Sequence, residues 1–91
     1  WGGPVPAETM VSWAEEILDL SDEGFRAAYG QTALARPGRD GWLRNLCVGL
    51  GNVGDAGAVP VIMRCLDEES YVVREHAAWA LARLAETDAR L

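Results

Sequence analysis

The sequence contains no lysine and a single histidine, His76. Its two cysteines, Cys47 and Cys65, lack the Cys-x-x-Cys spacing, so with one histidine they cannot supply the ligands of a structural zinc site or an iron–sulfur cluster. No apolar run approaches the roughly 20 residues that cross a bilayer. We therefore expect no metal centre and no membrane span within these residues. We expect a soluble, cytoplasmic chain in which both cysteines are buried free thiols, and a disulfide between them is the alternative.

Basic residues are also scarce, because 14 acidic residues oppose 8 arginines and leave a net charge of −6. Non-specific phosphate binding needs clustered cations, so this balance argues against a generic nucleic-acid binder. The charge is unevenly placed, however. Residues 1–24 carry six acids and no base, whereas residues 25–49 carry four arginines against Asp40 alone. The candidate phosphate-facing region is the loop and helix start between Arg36 and Arg44.

The 91 residues, 49% of them apolar, suit one domain with a single core. Glycine and proline alternate in residues 1–6, which predicts a linker. From residue 7 onward apolar residues recur at helical spacing, and no segment alternates with period two. Turn and capping residues divide this stretch at Ser21, at residues 30–41, at Gly54-Asp55 and at residues 67–70. The sequence therefore predicts an all-α domain of about five helices over residues 7–91.

An internal repeat refines the predicted architecture. A shift of about 31 residues lays the segment from Gly49 over the segment from Ala80, and Leu46 then falls on Ala77. Helix pairs that repeat at about this length, with small residues at their contacts, are typical of HEAT-like α-solenoids. The second copy ends early, at Thr87-Asp88. We therefore expect a C-terminal fragment of a longer chain.

Three segments in a fixed order carry a resemblance to a known family. They are Phe25-Arg26 through Gly30-Gln31-Thr32-Ala33, Leu43-Arg44-Asn45 leading to Leu50-Gly51-Asn52, and Val73-Arg74-Glu75-His76-Ala77-Ala78-Trp79-Ala80-Leu81. Together they resemble the C-terminal helical region of epoxyqueuosine reductase. The resemblance implies a cobalamin-dependent oxidoreductase with two 4Fe-4S clusters, which completes queuosine biosynthesis in tRNA. It also implies that the catalytic acid and both cofactors belong to regions upstream, so we expect no catalytic residue here.

For these residues, the resemblance implies a non-catalytic HEAT-like domain that holds the tRNA anticodon arm against its own catalytic domain, in a monomeric enzyme. The candidate RNA contacts are Arg36, Arg39, Arg44 and Asn45, because a helix start presents free N–H groups that suit phosphate oxygens. A structural alternative remains open. In it, Arg36 and Arg39 pair with nearby acids in a solvated loop, while Arg44 and Asn45 tie a neighbouring loop or carbonyl to the helix.

A second candidate surface lies on the last predicted helix, where His76, Trp79 and Arg83 form a stripe beside the core positions. In the structural interpretation, His76 bonds a backbone carbonyl and Trp79 packs under the preceding helix pair. In the functional one, the stripe faces the catalytic domain or stacks on RNA. No second histidine, neighbouring serine or carboxylate pair supports catalysis at His76. The alternative function is a generic HEAT-repeat module that binds a protein.

Overall fold

The computed structural model describes residues 5–87, apart from the side chain of Leu34. The helices are α1 (Ala7–Leu18), α2 (Asp22–Tyr29), α3 (Gly38–Val53), α4 (Val59–Cys65) and α5 (Tyr71–Thr87), with short 3₁₀ turns at Ala33–Ala35 and Ala56–Ala58. Across this described stretch there is no β-strand, so the predicted all-α fold is confirmed. Residues 1–4 of the expected linker at residues 1–6 lie outside the described residues. The sequence also predicts that a partner helix starts at Thr87-Asp88, but Thr87 still belongs to α5, and Asp88 lies outside the described residues.

Two helix starts follow from serine caps that the sequence predicts. The Ser21 Oγ accepts a hydrogen bond from the backbone N–H of Gly24 at 2.9 Å, and α2 begins at the next residue. The Ser70 Oγ accepts one from the N–H of Val73 at 3.3 Å, and α5 then starts. Each cap satisfies an N–H group that has no partner within its helix, so both boundaries are local properties of the sequence.

The junction between α3 and α4 is more elaborate than the sequence suggests. Gly54 ends α3 in the left-handed region at a φ of 78°, which glycine adopts without steric cost. Asp55 then accepts from the N–H of Gly57 at 2.8 Å, so it caps a 3₁₀ turn rather than α4 itself. The helix α4 begins after that turn, and Pro60 lies in its first turn, where its missing N–H costs nothing.

The core is built around α3, which packs against α1 on one side and α5 on the other. Its largest fully buried side chains are Leu43, Leu50, Ile62, Leu84, Val73, Cys47 and Cys65, and the described residues bury no polar or charged side chain. Removing a leucine from such a core costs about 2–5 kcal/mol, because the lost burial and the cavity add. The repeat is reflected in this core, because Leu46 and its counterpart Ala77 are both buried. The next pair differs, since Cys47 is buried and its counterpart Ala78 is exposed.

Small residues let α3 and α5 approach closely. A Cβ added to Gly51 would lie 2.7 Å from Cζ3 of Trp79 and 3.1 Å from Cα of Ala80. Such distances leave no room for any side chain at this position. The close packing therefore depends on glycine, and it fixes the Trp79 ring against the surface of α3.

The two cysteines are free and buried, as expected. Cys47 on α3 and Cys65 on α4 share a hydrogen bond between their thiols, which together with burial holds the pKa of Cys47 well above its ordinary range. A protonated, buried thiol such as that of Cys47 is a poor nucleophile. The same hydrogen bond lowers the pKa of Cys65, but its thiol is buried as well. Both side chains therefore pack in the core.

Candidate functional site

Arg39 is bound within the fold instead of facing solvent. Its Nε donates to the Leu20 carbonyl at 2.6 Å, and its Nη2 donates to the Leu18 carbonyl at 3.3 Å. Its Nη1 and Nη2 also donate to the two carboxylate oxygens of Glu68. The side chains of Arg39 and Glu68 are only 11% and 19% exposed. We call this arrangement the Arg39 tie; it joins the end of α1, the start of α3 and the turn before α5.

The Arg39 tie changes the assignment of one candidate RNA contact. All three guanidinium nitrogens are engaged inside the protein, and the hydrogen bond to Glu68 raises the pKa of Arg39 further. A phosphate would have to displace a bidentate carboxylate from a largely dry site. The structure therefore gives Arg39 a structural role, and the expectation that it contacts RNA is not retained. The structural alternative is confirmed in part for Arg39. It pairs with nearby acids, with Glu68 and with Asp40, whose Oδ1 lies 3.8 Å from Nη1, but its side chain is largely buried on α3 and not in a solvated loop.

The other three candidate RNA contacts, Arg36, Arg44 and Asn45, are exposed. Arg36 follows the 3₁₀ turn that precedes α3, whereas Arg44 and Asn45 lie on α3 itself, beyond its first turn. Arg44 and Asn45 are therefore not at the free N–H groups of the helix start, which is the geometry that the sequence suggested, whereas Arg36 directly precedes the N-cap residue Pro37. Their contact with RNA stays a prediction that depends on their side chains alone.

The structure brings the two predicted surfaces together. A shallow pocket of ≈ 310 Å³ is lined by Val48, Asn52, Glu75, His76 and Trp79, which come from both α3 and α5. Residues three or four positions apart share one side of a helix. Arg44 and Asn45 therefore lie on the same side of α3 as Val48, and Arg83 on the same side of α5 as Trp79. We call this surface, from Arg44 and Asn45 to His76, Trp79 and Arg83, the α3–α5 face.

Contacts on the α3–α5 face hold its aromatic centre in place. The Trp79 ring rests on Gly51 and is 39% exposed, and the Arg83 guanidinium carbon lies 5.8 Å from the ring centroid, in cation–π range. His76 Nδ1 lies 2.8 Å from the Val72 carbonyl, as the structural interpretation expects. A carbonyl only accepts, so Nδ1–H donates and leaves Nε2 for another partner. Trp79 therefore packs within the protein and still presents ring surface to the exterior.

The histidine and both cysteines of the described residues are engaged or buried. Among the described residues, no group of three or more histidine, cysteine, aspartate or glutamate side chains could hold a metal ion. His76 is engaged with a backbone carbonyl, and both thiols are buried. Between residues 5 and 87, no helix combines the length and apolar character that crossing a membrane requires.

The sequence predicts that Arg74 pairs with an acid of an adjacent turn, Asp67 or Asp55. In the structure its Nη1 donates instead to the backbone carbonyls of Glu68 and Glu69 at 2.8 and 2.6 Å, which holds the turn before α5 in place.

Sequence reasoning missed one feature, a pocket at α1 and α2 that includes Trp13 and Tyr29. The aromatic residues that line this pocket are spread along the sequence from Trp13 to Trp42, so the sequence gives no signal that they cluster. Only the packing of three helices brings them together.

Comparisons with known proteins agree with this fold. The sequence profile of HEAT repeats matches residues 32–90. The chain is 39% identical over 75 residues to an epoxyqueuosine reductase of Pseudomonas aeruginosa, a match that covers 79% of the chain and 20% of that protein. A second epoxyqueuosine reductase, from Xanthomonas campestris, is 41% identical over 75 residues, and the match covers 81% of the chain and 19% of that protein.

A more distant relative is the epoxyqueuosine reductase of Escherichia coli, 33% identical over 76 residues, with 80% of the chain and 20% of that protein covered. The chain thus spans about a fifth of the length of the curated relatives that it resembles. No solved structure gives a significant match. The five helices, the close contact of α3 with α5 and the profile match over most of the sequence agree, and the chain belongs to the HEAT-repeat family.

Proposed function

We propose that this chain is the HEAT-repeat domain of an epoxyqueuosine reductase, and that it helps to dock tRNA without taking part in the chemistry. The observation that carries the proposal is the similarity of about four fifths of the chain to several proteins of that name. The match spans only a fifth of each relative, and we assign the reaction to the remaining four fifths.

The proposal places cobalamin and two 4Fe-4S clusters in that remaining part of a monomeric, cytoplasmic enzyme. The donor set of this chain does not fit a 4Fe-4S cluster. Two buried cysteines that contact each other and one histidine bound to a carbonyl cannot provide the four thiolates of a cluster. No step of the reduction is therefore assigned to these residues.

The α3–α5 face is the surface that we assign to the anticodon arm. Unstacked bases of a tRNA loop bind aromatic rings, and Trp79 offers a half-exposed ring supported from below by Gly51. Arginines position the phosphate backbone, and Arg44 and Arg83 are both exposed at this surface. Arg36 extends the basic character toward the loop before α3. The acidic balance elsewhere disfavours RNA on other surfaces, since the chain as a whole carries −6.

Charge reversal tests this assignment in the full-length enzyme that contains the domain. The double substitution Arg44→Glu and Arg83→Glu should weaken tRNA binding by about tenfold at physiological salt and reduce the dependence of affinity on salt, because two phosphate contacts are lost. The matched control is Arg26→Glu with Arg64→Glu, which makes the same change in net charge at exposed positions away from this face. Each double variant also removes one surface ion pair, Arg64 with Asp19 in the control and Arg83 with Glu86 in the test. Filter binding or fluorescence anisotropy at several salt concentrations measures both effects.

The control variant should stay within about twofold of the unmodified enzyme, allowing for long-range repulsion. Equal losses in the two double variants would show that net charge, not the α3–α5 face, controls affinity. Unchanged affinity in both would remove the domain from tRNA docking.

A HEAT-repeat module that binds protein is the second candidate, and exposed apolar side chains on α5 favour it. Tyr71 is 68% exposed, and Val72 and Trp79 are also exposed at one side of this helix. Under this alternative, Trp79→Ala weakens the association of the domain with the catalytic part of the same enzyme. The affinity for tRNA then decreases only as a secondary effect of that loss. Calorimetric unfolding of the full-length enzyme separates the two, since loss of interdomain contact splits one transition into two.

A further inference from the structure

A pocket of ≈ 260 Å³ at α1 and α2 combines aromatic walls with one carboxylate. It is lined by Trp13, Glu16, Ile17, Phe25, Tyr29 and Trp42. This pocket, which we call the aromatic pocket, shares no residue with the α3–α5 face. Four of its six lining side chains are aromatic, although aromatic residues make up only 8% of the sequence. This clustering of aromatic side chains around one pocket suggests a binding role in addition to packing.

The walls of the aromatic pocket are fixed rather than loose. Phe25 and Tyr29 lie 5.1 Å apart between ring centroids at 53°, and Phe25 is buried. The Tyr29 hydroxyl donates to Oε1 of Glu16 at 2.8 Å, which joins α2 to α1 at the rim and raises the pKa of the tyrosine. Trp13 is 42% exposed, so its ring forms an accessible side of the pocket. The carboxylate is thus held beside aromatic faces that open to solvent.

This combination selects for cations. Aromatic faces attract a guanidinium or ammonium group, and a carboxylate adds charge and hydrogen-bond acceptors. None of the six lining residues is basic, and the first 24 residues of the chain carry six acids and no base. The nearest base along the chain, Arg26 on α2, is exposed and does not line the pocket. An anion or a phosphate would be repelled from this end of the domain.

We propose that the aromatic pocket binds an arginine side chain presented by a basic segment of a partner protein. Arginine fits best among cations because its planar guanidinium stacks on indole and phenol rings while it hydrogen-bonds to a carboxylate. The size of the pocket suits one side chain, not a folded element. The domain would then contact RNA through the α3–α5 face and protein through the aromatic pocket.

The test is a titration of the 91-residue chain, labelled with ¹⁵N, with the peptide acetyl-Gly-Arg-Gly-amide. The indole N–H signals report on each tryptophan separately. Those of Trp13 and Trp42 should shift saturably while that of Trp79 stays in place. The matched peptide with citrulline, which keeps the shape of arginine but not its charge, should bind at least about threefold more weakly, as loss of the cation–π attraction requires.

Two variants test whether peptide binding depends on the residues that line the aromatic pocket. Glu16→Gln and Trp13→Ala should each weaken binding of the arginine peptide by at least about threefold. Glu75→Gln, a matched change on the α3–α5 face, should leave it unchanged. Circular dichroism confirms that each variant stays folded, which is expected because Trp13 and Glu16 are exposed.

Other outcomes overturn the proposal. They are equal binding of the arginine and citrulline peptides, no saturable shift, or a response to tetramethylammonium without one to the arginine peptide. A response to adenosine monophosphate in place of the peptide would assign the pocket to nucleotide stacking and would equally contradict it.

Discussion

Arg39 and Arg44 lie five residues apart on the same helix and have opposite surroundings. Arg39 is held by carbonyls at the end of α1 and by Glu68, whereas Arg44 is exposed on the α3–α5 face. Five residues turn an α-helix by about 140°, which is enough to move a side chain from an interhelical seam to open surface. The two regions show that arginines close together in the sequence need not share a function. The tie stabilises the fold, and the face remains available for binding.

The largest expected effect comes from breaking the Arg39 tie. Arg39→Ala should lower the free energy of unfolding by about 2–4 kcal/mol, because it leaves the Glu68 carboxylate and two backbone carbonyls without their donor. Urea denaturation followed by circular dichroism measures the change. The matched substitution Arg44→Ala should change stability by less than about 0.5 kcal/mol, as for an exposed residue. Similar losses in the two variants would remove the distinction between the regions.

A smaller effect is expected at the base of the α3–α5 face. Gly51→Ala should destabilise the domain by about 1–3 kcal/mol, because the new Cβ would meet Trp79 and the backbone of Ala80. Gly49→Ala on the same helix is the control. Its Cβ would meet only the flexible end of Met10, which can move aside, and the gain in helix propensity offsets the cost. Thermal unfolding of both variants checks the order, and a more stable Gly51→Ala variant would contradict this packing.

The smallest expected effect on stability is at Trp79 on the α3–α5 face, whose ring is partly exposed and partly packed against Gly51. Trp79→Ala should cost about 1–2 kcal/mol, because the ring is 39% exposed and only its inner side is buried against Gly51. Chemical denaturation should therefore place this variant between Arg39→Ala and Arg44→Ala. A loss as large as that of Arg39→Ala would make Trp79 a core residue and weaken the case for a binding surface.

Local signals made the fold predictable. Caps at Ser21 and Ser70, the left-handed glycine at Gly54 and the helical spacing of apolar residues all act within a few positions, and each is found as predicted. The role of Arg39 was not predictable in the same way. Its partners Leu20 and Glu68 are 19 and 29 residues away, so only the packing of α1, α3 and the turn before α5 reveals them.

The candidate site was predictable only where local patterns in the sequence define it. Helical spacing placed His76, Trp79 and Arg83 on one stripe, and charge counting singled out the segment that contains Arg44. That the two surfaces meet depends on the contact of α3 with α5 through Gly51, which no local pattern encodes. The aromatic pocket was missed because its walls come from three helices.

The central proposal, that the α3–α5 face is the surface that meets tRNA, is tested most directly by hydroxyl-radical footprinting of the proposed full-length reductase with and without tRNA. Trp79 and Trp13 are 39% and 42% exposed, so the second serves as an internal control of matched exposure. We predict that tRNA protects Trp79 from oxidation and leaves Trp13 unchanged. Equal oxidation of Trp79 in the presence and absence of tRNA would contradict the claim.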